Sequence, residues 1–374
     1  MNYFEAHRAQ LEQAVNACRT RAYWSAYPEI ASGKIYGETA KADGEAAFKA
    51  LLGKPFDLGE NGGRRVGREV SPFGMALGIT YPAADPDKLI ERSMKACEAW
   101  ARASIEDRVG VCLEIVQRLN RQSFLIANAA MHTTGQAFMM AFQAAGPHAQ
   151  DRALEAIAYA YDEMTRVPRT ANWTKPQGKG DPIVLDKSFR IVPRGVSLVI
   201  GCATFPTWNG YPAIFASLAT GNSVIVKPHP GAILPLAITV KIGGEVLKEA
   251  GFDPDVLMLA PDEADAPITQ ELAAHPGIAI VDFTGSPAFG QWVRENAATG
   301  LVYTEEAGIN SIVIDSTDDY RGMCGNIAFS LSLYSGQMCT APQNIFVPAG
   351  GIETNDGHKS YDLSLIHISQ GIVR

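Results

Sequence analysis

From Gly195 onward the chain alternates short apolar runs with helix-length amphipathic stretches, and few folds accommodate that alternation. Gly195-Val-Ser-Leu-Val-Ile-Gly201 is an apolar run bounded by glycines, the pattern of a strand buried on both faces. Comparable runs follow at 223–226, 256–259, 278–283 and 301–304, separated by helical stretches at 212–220, 234–250, 268–275 and 288–297. Such repetition predicts an α/β fold, a Rossmann-type doubly wound parallel sheet with helices on both faces. Ligands of these sheets sit beyond the carboxyl ends of the strands. Chemistry is therefore expected just after Gly201, Val226, Phe283 and Thr304.

Composition narrows the function classes. The 374 residues include 32 Lys or Arg and 40 Asp or Glu, a formal net charge of −8, which argues against nucleic acid as a partner. No apolar run approaches the ~18 residues of a membrane span. The start, Met-Asn-Tyr-Phe-Glu-Ala-His-Arg, carries charges where a signal peptide needs an apolar stretch. Cysteines 18, 97, 112, 202, 324 and 339 form no Cys-x-x-Cys pair, hence neither a disulfide framework nor a zinc site. A cytoplasmic protein with no membrane, nucleic-acid or metal partner is expected.

Upstream, one amphipathic helix is predicted over 4–21, followed by a glycine- and charge-rich connection through Gly59-Glu60-Asn61-Gly62-Gly63. Residues 1–65 read as an N-terminal helical extension. Asp85-Pro86 and Ser104-Ile-Glu-Asp107 carry helix-start chemistry, and a further helix is predicted over 152–164. The polar, Pro/Gly-rich stretch at about 166–189 suits an extended hairpin arm. The expected organisation is a dinucleotide-binding domain at 66–306, the start of a catalytic domain at 307–362, and a tail at 363–374.

The strand ends carry Phe205-Pro-Thr-Trp-Asn-Gly-Tyr-Pro212, Lys227-Pro-His-Pro230, Thr284-Gly-Ser-Pro-Ala-Phe-Gly290 and Thr304-Glu-Glu-Ala-Gly308. Gly336-Gln-Met-Cys339 follows, its cysteine 34 positions beyond Glu305. In this order the segments resemble the aldehyde dehydrogenase superfamily over about Val66 to Val347, and within it the phenylacetic acid degradation (PaaN-type) branch. The resemblance implies oxidation of an aldehyde, in phenylacetate or aromatic catabolism, to the acid with NAD(P). It also implies a hydrophobic or aromatic aldehyde substrate and a homo-oligomeric full-length parent, with the arm pairing subunits.

Each residue also has a plainer reading. A free cysteine is most often an inert buried thiol, and Cys18, Cys97, Cys112, Cys202 and Cys324 keep that reading. By resemblance Cys339 is the nucleophile, forming a thiohemiacetal and then a thioester. Asn209 reads locally as a turn residue; the resemblance makes its amide an oxyanion donor. The local spacing departs from most relatives at Thr207 and at Gly210-Tyr211. Glu305 and Glu306 point to opposite faces of an extended segment, and the glutamate three residues before a glycine, Glu305, is the implied general base.

For the cofactor, the resemblance implies Trp208, Lys227, Pro230, Gly285, Ser286 and Gly290. Lys227 would hold the adenosine ribose, and Gly285–Gly290 would open a helix toward the pyrophosphate. Relatives preferring NAD commonly carry an acidic residue where Pro230 stands, so NADP is expected to fit at least as well as NAD. Phe215, Leu218 and Met338 are candidates for an apolar aldehyde tunnel. Only 35 residues follow Cys339, and no Glu-x-Phe-Gly-Pro-like segment occurs, so a truncated chain is expected, with Ile327, Leu331, Leu333 and Ile345 left exposed. The alternatives are a catalytically dead nucleotide-binding fragment and a Cys-His hydrolase.

Overall fold

Helix-start chemistry organises the first half of the chain in the computed structural model, which describes residues 2–59, 63–298 and 301–362. Asn2 caps α1 (Tyr3–Thr20), and Arg21 closes it in a left-handed conformation. After α2 (Gly33–Tyr36), α3 (Ala40–Leu51) and the short pair β1 (Arg65–Val66) and β2 (Tyr81–Pro82), Asp85 caps α4 (Pro86–Arg102). Ser104 then accepts the Asp107 N–H at 3.0 Å to start α5 (Ile105–Arg121). Three helices follow, α6 (Ser123–Thr134), α7 (Phe138–Ala145) and α8 (Pro147–Thr165). The glycine connection at 60–62 and the tail at 363–374 lie outside the described residues.

The N-terminal segment is not an appendage. α1 lays Phe4, Leu11, Ala14 and Val15 against α5 and α8, within the largest hydrophobic core. Gly110 of α5 is needed there, because a Cβ would run into the Phe4 backbone. The predicted arm is a hairpin of β3 (Thr170–Lys175) and β4 (Ile183–Ser188), exposed at every position of both strands.

The predicted alternation then appears as a five-stranded parallel sheet. Its strands are β5 (Val196–Ile200), β6 (Ser223–Lys227), β7 (Leu257–Leu259), β8 (Ile278–Gly285) and β9 (Leu301–Glu306), in spatial order β7-β6-β5-β8-β9. Between them run α9 (Pro206–Ala219), α10 (Leu234–Glu249), α11 (Thr269–Ala274) and α12 (Pro287–Asn296). The chain builds outward from β5 to β7, then reverses to β8 and β9, so a crevice opens between the carboxyl ends of β5 and β8. One expectation shifts: α9 begins at Pro206, whose fixed φ suits a first helical position, rather than at Pro212, which the helix carries inside. Asn209 therefore sits in the first turn of a helix.

Beyond the sheet, β10 (Asn310–Val313) pairs in parallel with β12 (Pro342–Phe346), and β11 (Ser316–Thr317) with β13 (Glu353–Thr354), around α13 (Tyr320–Ser332). The expectation of exposed Ile327, Leu331, Leu333 and Ile345 is corrected. Ile327 joins Ile314, Tyr320, Cys324 and Ile352 in a small separate core, Leu331 and Ile345 pack against it, and Leu333 is half-buried. The exposed apolar side chains there include Ile309, Val313, Phe329 and Phe346 instead. Among the described residues no helix is long and apolar enough to cross a membrane.

Candidate active site

Strand register separates the two adjacent glutamates. Val199 lies beside Asp282, Asp282 beside Tyr303, Thr284 beside Glu305 and Gly285 beside Glu306. Leu198, Val281, Phe283 and Val302 pack in the core that includes Val293 of α12. The opposite face carries Ser197, whose hydroxyl accepts from Ser217 of α9 at 3.0 Å. Because side chains alternate, Glu305 falls on the α9 face and Glu306 on the α12 face. Glu305 is exposed, whereas Glu306 is ion-paired with Arg294 of α12. Asp282, on the Glu305 face, is pushed up to about 6 by burial and then by the Glu305 charge.

Cys339 is exposed, at the end of a turn that presents it ahead of β12. The turn runs left-handed through Tyr334 (φ 51°), Ser335 (φ 59°) and Gly336 (φ 71°), and only the glycine adopts that conformation without strain. The turn is docked at three points. The Tyr334 ring meets Phe205 edge-on at 5.3 Å, Gln337 donates to the Thr134 carbonyl at 3.0 Å, and Asn310 donates to the Cys339 carbonyl at 2.7 Å. Asn310 lies five positions beyond Glu305, and Gln343 donates to the Gly308 carbonyl at 2.8 Å. The Glu305 segment and the Cys339 segment are thus tied side by side.

Asn209 is half-buried on α9, four residues after Phe205. Its Nδ2 donates to the Cys202 sulfur at 3.4 Å, and its buried Oδ1 has no hydrogen-bond partner among the described residues. Phe205 N–H and the Thr204 hydroxyl also converge on that sulfur, at 3.4 and 3.7 Å. Among the described residues no direct hydrogen bond joins the side chains of Cys339, Glu305 and Asn209; Phe205 and Asn310 link their segments. Phe215 and Leu218 are fully buried in the main core, so they line no open tunnel, while Met338 is half-buried beside Cys339.

The cofactor candidates fall at the carboxyl ends as their strands require. Ser286 caps α12, accepting the Phe289 N–H at 3.4 Å, and Pro287 takes the first helical position. Gly285 abuts the Phe283 ring, and Gly290 is buried against the Glu306 carboxylate, so both glycines also serve close packing. Trp208 lies under the Arg152 guanidinium at 4.7 Å and edge-on to His148. Pro230 is in the turn after β6. Lys227 is 2 % exposed, and its Nζ donates to Asp262 Oδ1 and to the Pro228 carbonyl, each at 2.7 Å. Burial lowers the Lys227 pKa, and Asp262 partly offsets that.

Asp262, Asp282 and Asn310 are not singled out by the sequence. Each acts through a partner distant in the chain, and only the strand-end rule points near them.

The chain matches the model of the aldehyde dehydrogenase family over residues 76–354. It is similar to a solved NAD-dependent aldehyde dehydrogenase from Burkholderia multivorans, at 57% identity and a TM-score of 0.97, covering 100% of this chain and 67% of that one. A solved 1-pyrroline-5-carboxylate dehydrogenase from Thermus with bound NAD shares the fold, at 20% identity and a TM-score of 0.71, over 94% of this chain and 66% of that one. Benzaldehyde dehydrogenase of Pseudomonas putida is 27% identical over 279 residues, 72% of this chain and 53% of its own length. The chain spans about half the length of the curated relatives it matches.

Proposed function

The chain belongs to the aldehyde dehydrogenase family, and from that premise we propose that it carries the nucleophile and cofactor-binding half of an enzyme oxidising aldehydes to carboxylic acids. The observation that carries the reading is the tie between the Glu305 and Cys339 segments through Asn310, beside the Asn209 helix. The Cys339 thiolate adds to the aldehyde carbon, forming a C–S bond and placing the carbonyl electron pair on oxygen. The Asn209 amide and the Cys339 N–H stabilise that oxyanion, at about 3 kcal/mol per donor. Loss of hydride leaves a thioester. Glu305 then takes a proton from water, whose oxygen adds to the thioester carbon, and the C–S bond breaks to give acid and thiol.

A nicotinamide dinucleotide, when bound, accepts the hydride. The residues fit such a group: the capped α12 N-terminus with Ser286 offers N–H donors and a dipole to phosphates, and Lys227 stands at the carboxyl end of β6, across β5 from β8. We take the substrate to be hydrophobic or aromatic, as in the phenylacetic acid degradation branch; the rings of Phe205 and Tyr334 beside the cysteine turn support this.

The test is aldehyde-dependent cofactor reduction by the full-length enzyme that carries these residues; residues 1–374 alone are expected to show none. Cys339→Ala is expected to abolish it, and Glu305→Gln to leave one reduced cofactor per site before stalling. Phenylacetaldehyde is expected to exceed acetaldehyde in kcat/KM by about tenfold or more. A stall in Glu306→Gln with normal turnover in Glu305→Gln would reverse the assignment.

A further inference from the structure

The buried Lys227–Asp262 pair has a consequence for cofactor choice. Position 230, three residues after the lysine, holds proline and supplies no charge. The carboxylate comes from another element, the loop leaving β7. Asp262 is 3 % exposed and holds Lys227 at 2.7 Å through Oδ1, while its Oδ2 accepts the Ile268 N–H at 3.0 Å. Two more carboxylates follow on the same loop, Glu263 and Asp265, sharing the single guanidinium of Arg68 at 2.9 Å each. This strand end therefore carries three carboxylates against two cations. Just after Lys227, the His229 ring accepts the Gly231 N–H on Nδ1 at 3.1 Å, and burial with the Lys227 charge lowers its pKa.

We propose that Asp262 sets the dinucleotide preference of this chain, neutralising Lys227 so that a ribose bearing free hydroxyls is accepted and a ribose 2′-phosphate is refused. The inference rests on the cofactor reading above, in which Lys227 faces the adenosine ribose. A lone buried lysine would welcome a 2′-phosphate. A lysine already paired at 2.7 Å offers it no net charge, and the flanking carboxylates repel it. The sequence alone favours NADP because no acidic residue stands at 230; the paired Asp262 occupies the same electrostatic role from a position 35 residues from Lys227.

The experiment is titration calorimetry of the full chain with two probes, AMP and adenosine 2′,5′-bisphosphate. The wild-type protein is expected to bind AMP at least tenfold more tightly. Asp262→Asn is expected to cut that ratio at least fivefold, mainly by tightening the bisphosphate. Because a lone buried lysine can prevent folding, the double variant Lys227→Gln/Asp262→Asn is measured alongside; its pair has no net charge, as in the wild type, and is expected to keep the wild-type ratio. Equal wild-type affinity for the two probes overturns the proposal, as does an unchanged ratio in folded Asp262→Asn or a narrowed ratio in the double variant. Binding of neither AMP nor NAD at millimolar concentration overturns the cofactor reading itself, an outcome distinct from binding without discrimination.

Discussion

At the scale of single residues, exposure and strand alternation make two sharp predictions. Cys339 is the exposed thiol among six, with Cys97, Cys112 and Cys324 buried and Cys18 and Cys202 half-buried. Limited iodoacetamide followed by peptide mass spectrometry is expected to label Cys339 first; earlier labelling of Cys202 would count against its accessibility to an aldehyde. Asp282 is a carboxyl whose pKa rises to about 6 in the fold, first through burial and then through Glu305. A raised pKa means its contribution is fully present below the ordinary aspartate range and is lost as pH rises through about 6. Asp282→Asn is therefore expected to stabilise the protein at pH 8 by about 2 kcal/mol, with the gain vanishing near pH 4. Denaturant melts at the two pH values check this, and a pH-independent difference would refute the cause.

At the scale of elements, the start of α10 shows what local sequence does and does not reveal. No side chain of its own N-cap residue, Ile233, can serve the orphan N–H groups. Glu69, far upstream and buried, accepts from Ile233 at 2.6 Å, Leu234 at 3.0 Å and the Tyr81 hydroxyl at 2.5 Å. Glu69→Ala would strand three buried donors and is expected to cost about 2–3 kcal/mol, read as a lower denaturation midpoint. The strands of the sheet were legible because their apolar runs are bounded by turns and buried on both faces, and Asp85 and Ser104 announced their helices by capping. Glu69 was not legible, since a cap borrowed across 164 positions leaves no local pattern. For the same reason Lys227 was visible at its strand end, whereas its partner Asp262 was not. Alternation plus a glycine favours Glu305 over Glu306 as the candidate base; that Glu306 is ion-paired was not legible, because Arg294 meets it only in the fold.

At the scale of the whole molecule, the described residues hold four apolar clusters, and the largest and the small one around α13 bear on stability differently. α1 shares the large core with α5, α8, α9 and α10, and it is also tied down electrostatically. His7 meets Glu114 at 2.7 Å, Arg118 bridges Glu114 and Glu249, and the Tyr3 hydroxyl donates to Glu249 at 3.2 Å. Arg118, through its hydrogen bond, holds Glu249 down to about 2, so the Arg118–Glu249 pair persists until strongly acidic pH. The small core of Ile314, Tyr320, Cys324, Ile327 and Ile352 lies under α13, downstream of the sheet. Removing methylene groups from either core loses transfer free energy and leaves a cavity, about 3 kcal/mol for a fully buried leucine. Leu11→Ala is therefore expected to weaken hydrogen-exchange protection of β5 and β6, although Leu11 lies in the N-terminal segment. Ile327→Ala is expected to speed exchange across α13, β10 and β12 and to leave β5 and β6 unchanged, because the two cores share none of these side chains. If Leu11→Ala spared the sheet, α1 would be an appended element; if Ile327→Ala weakened the sheet equally, the Cys339 turn would belong to one cooperative unit with the five-stranded sheet.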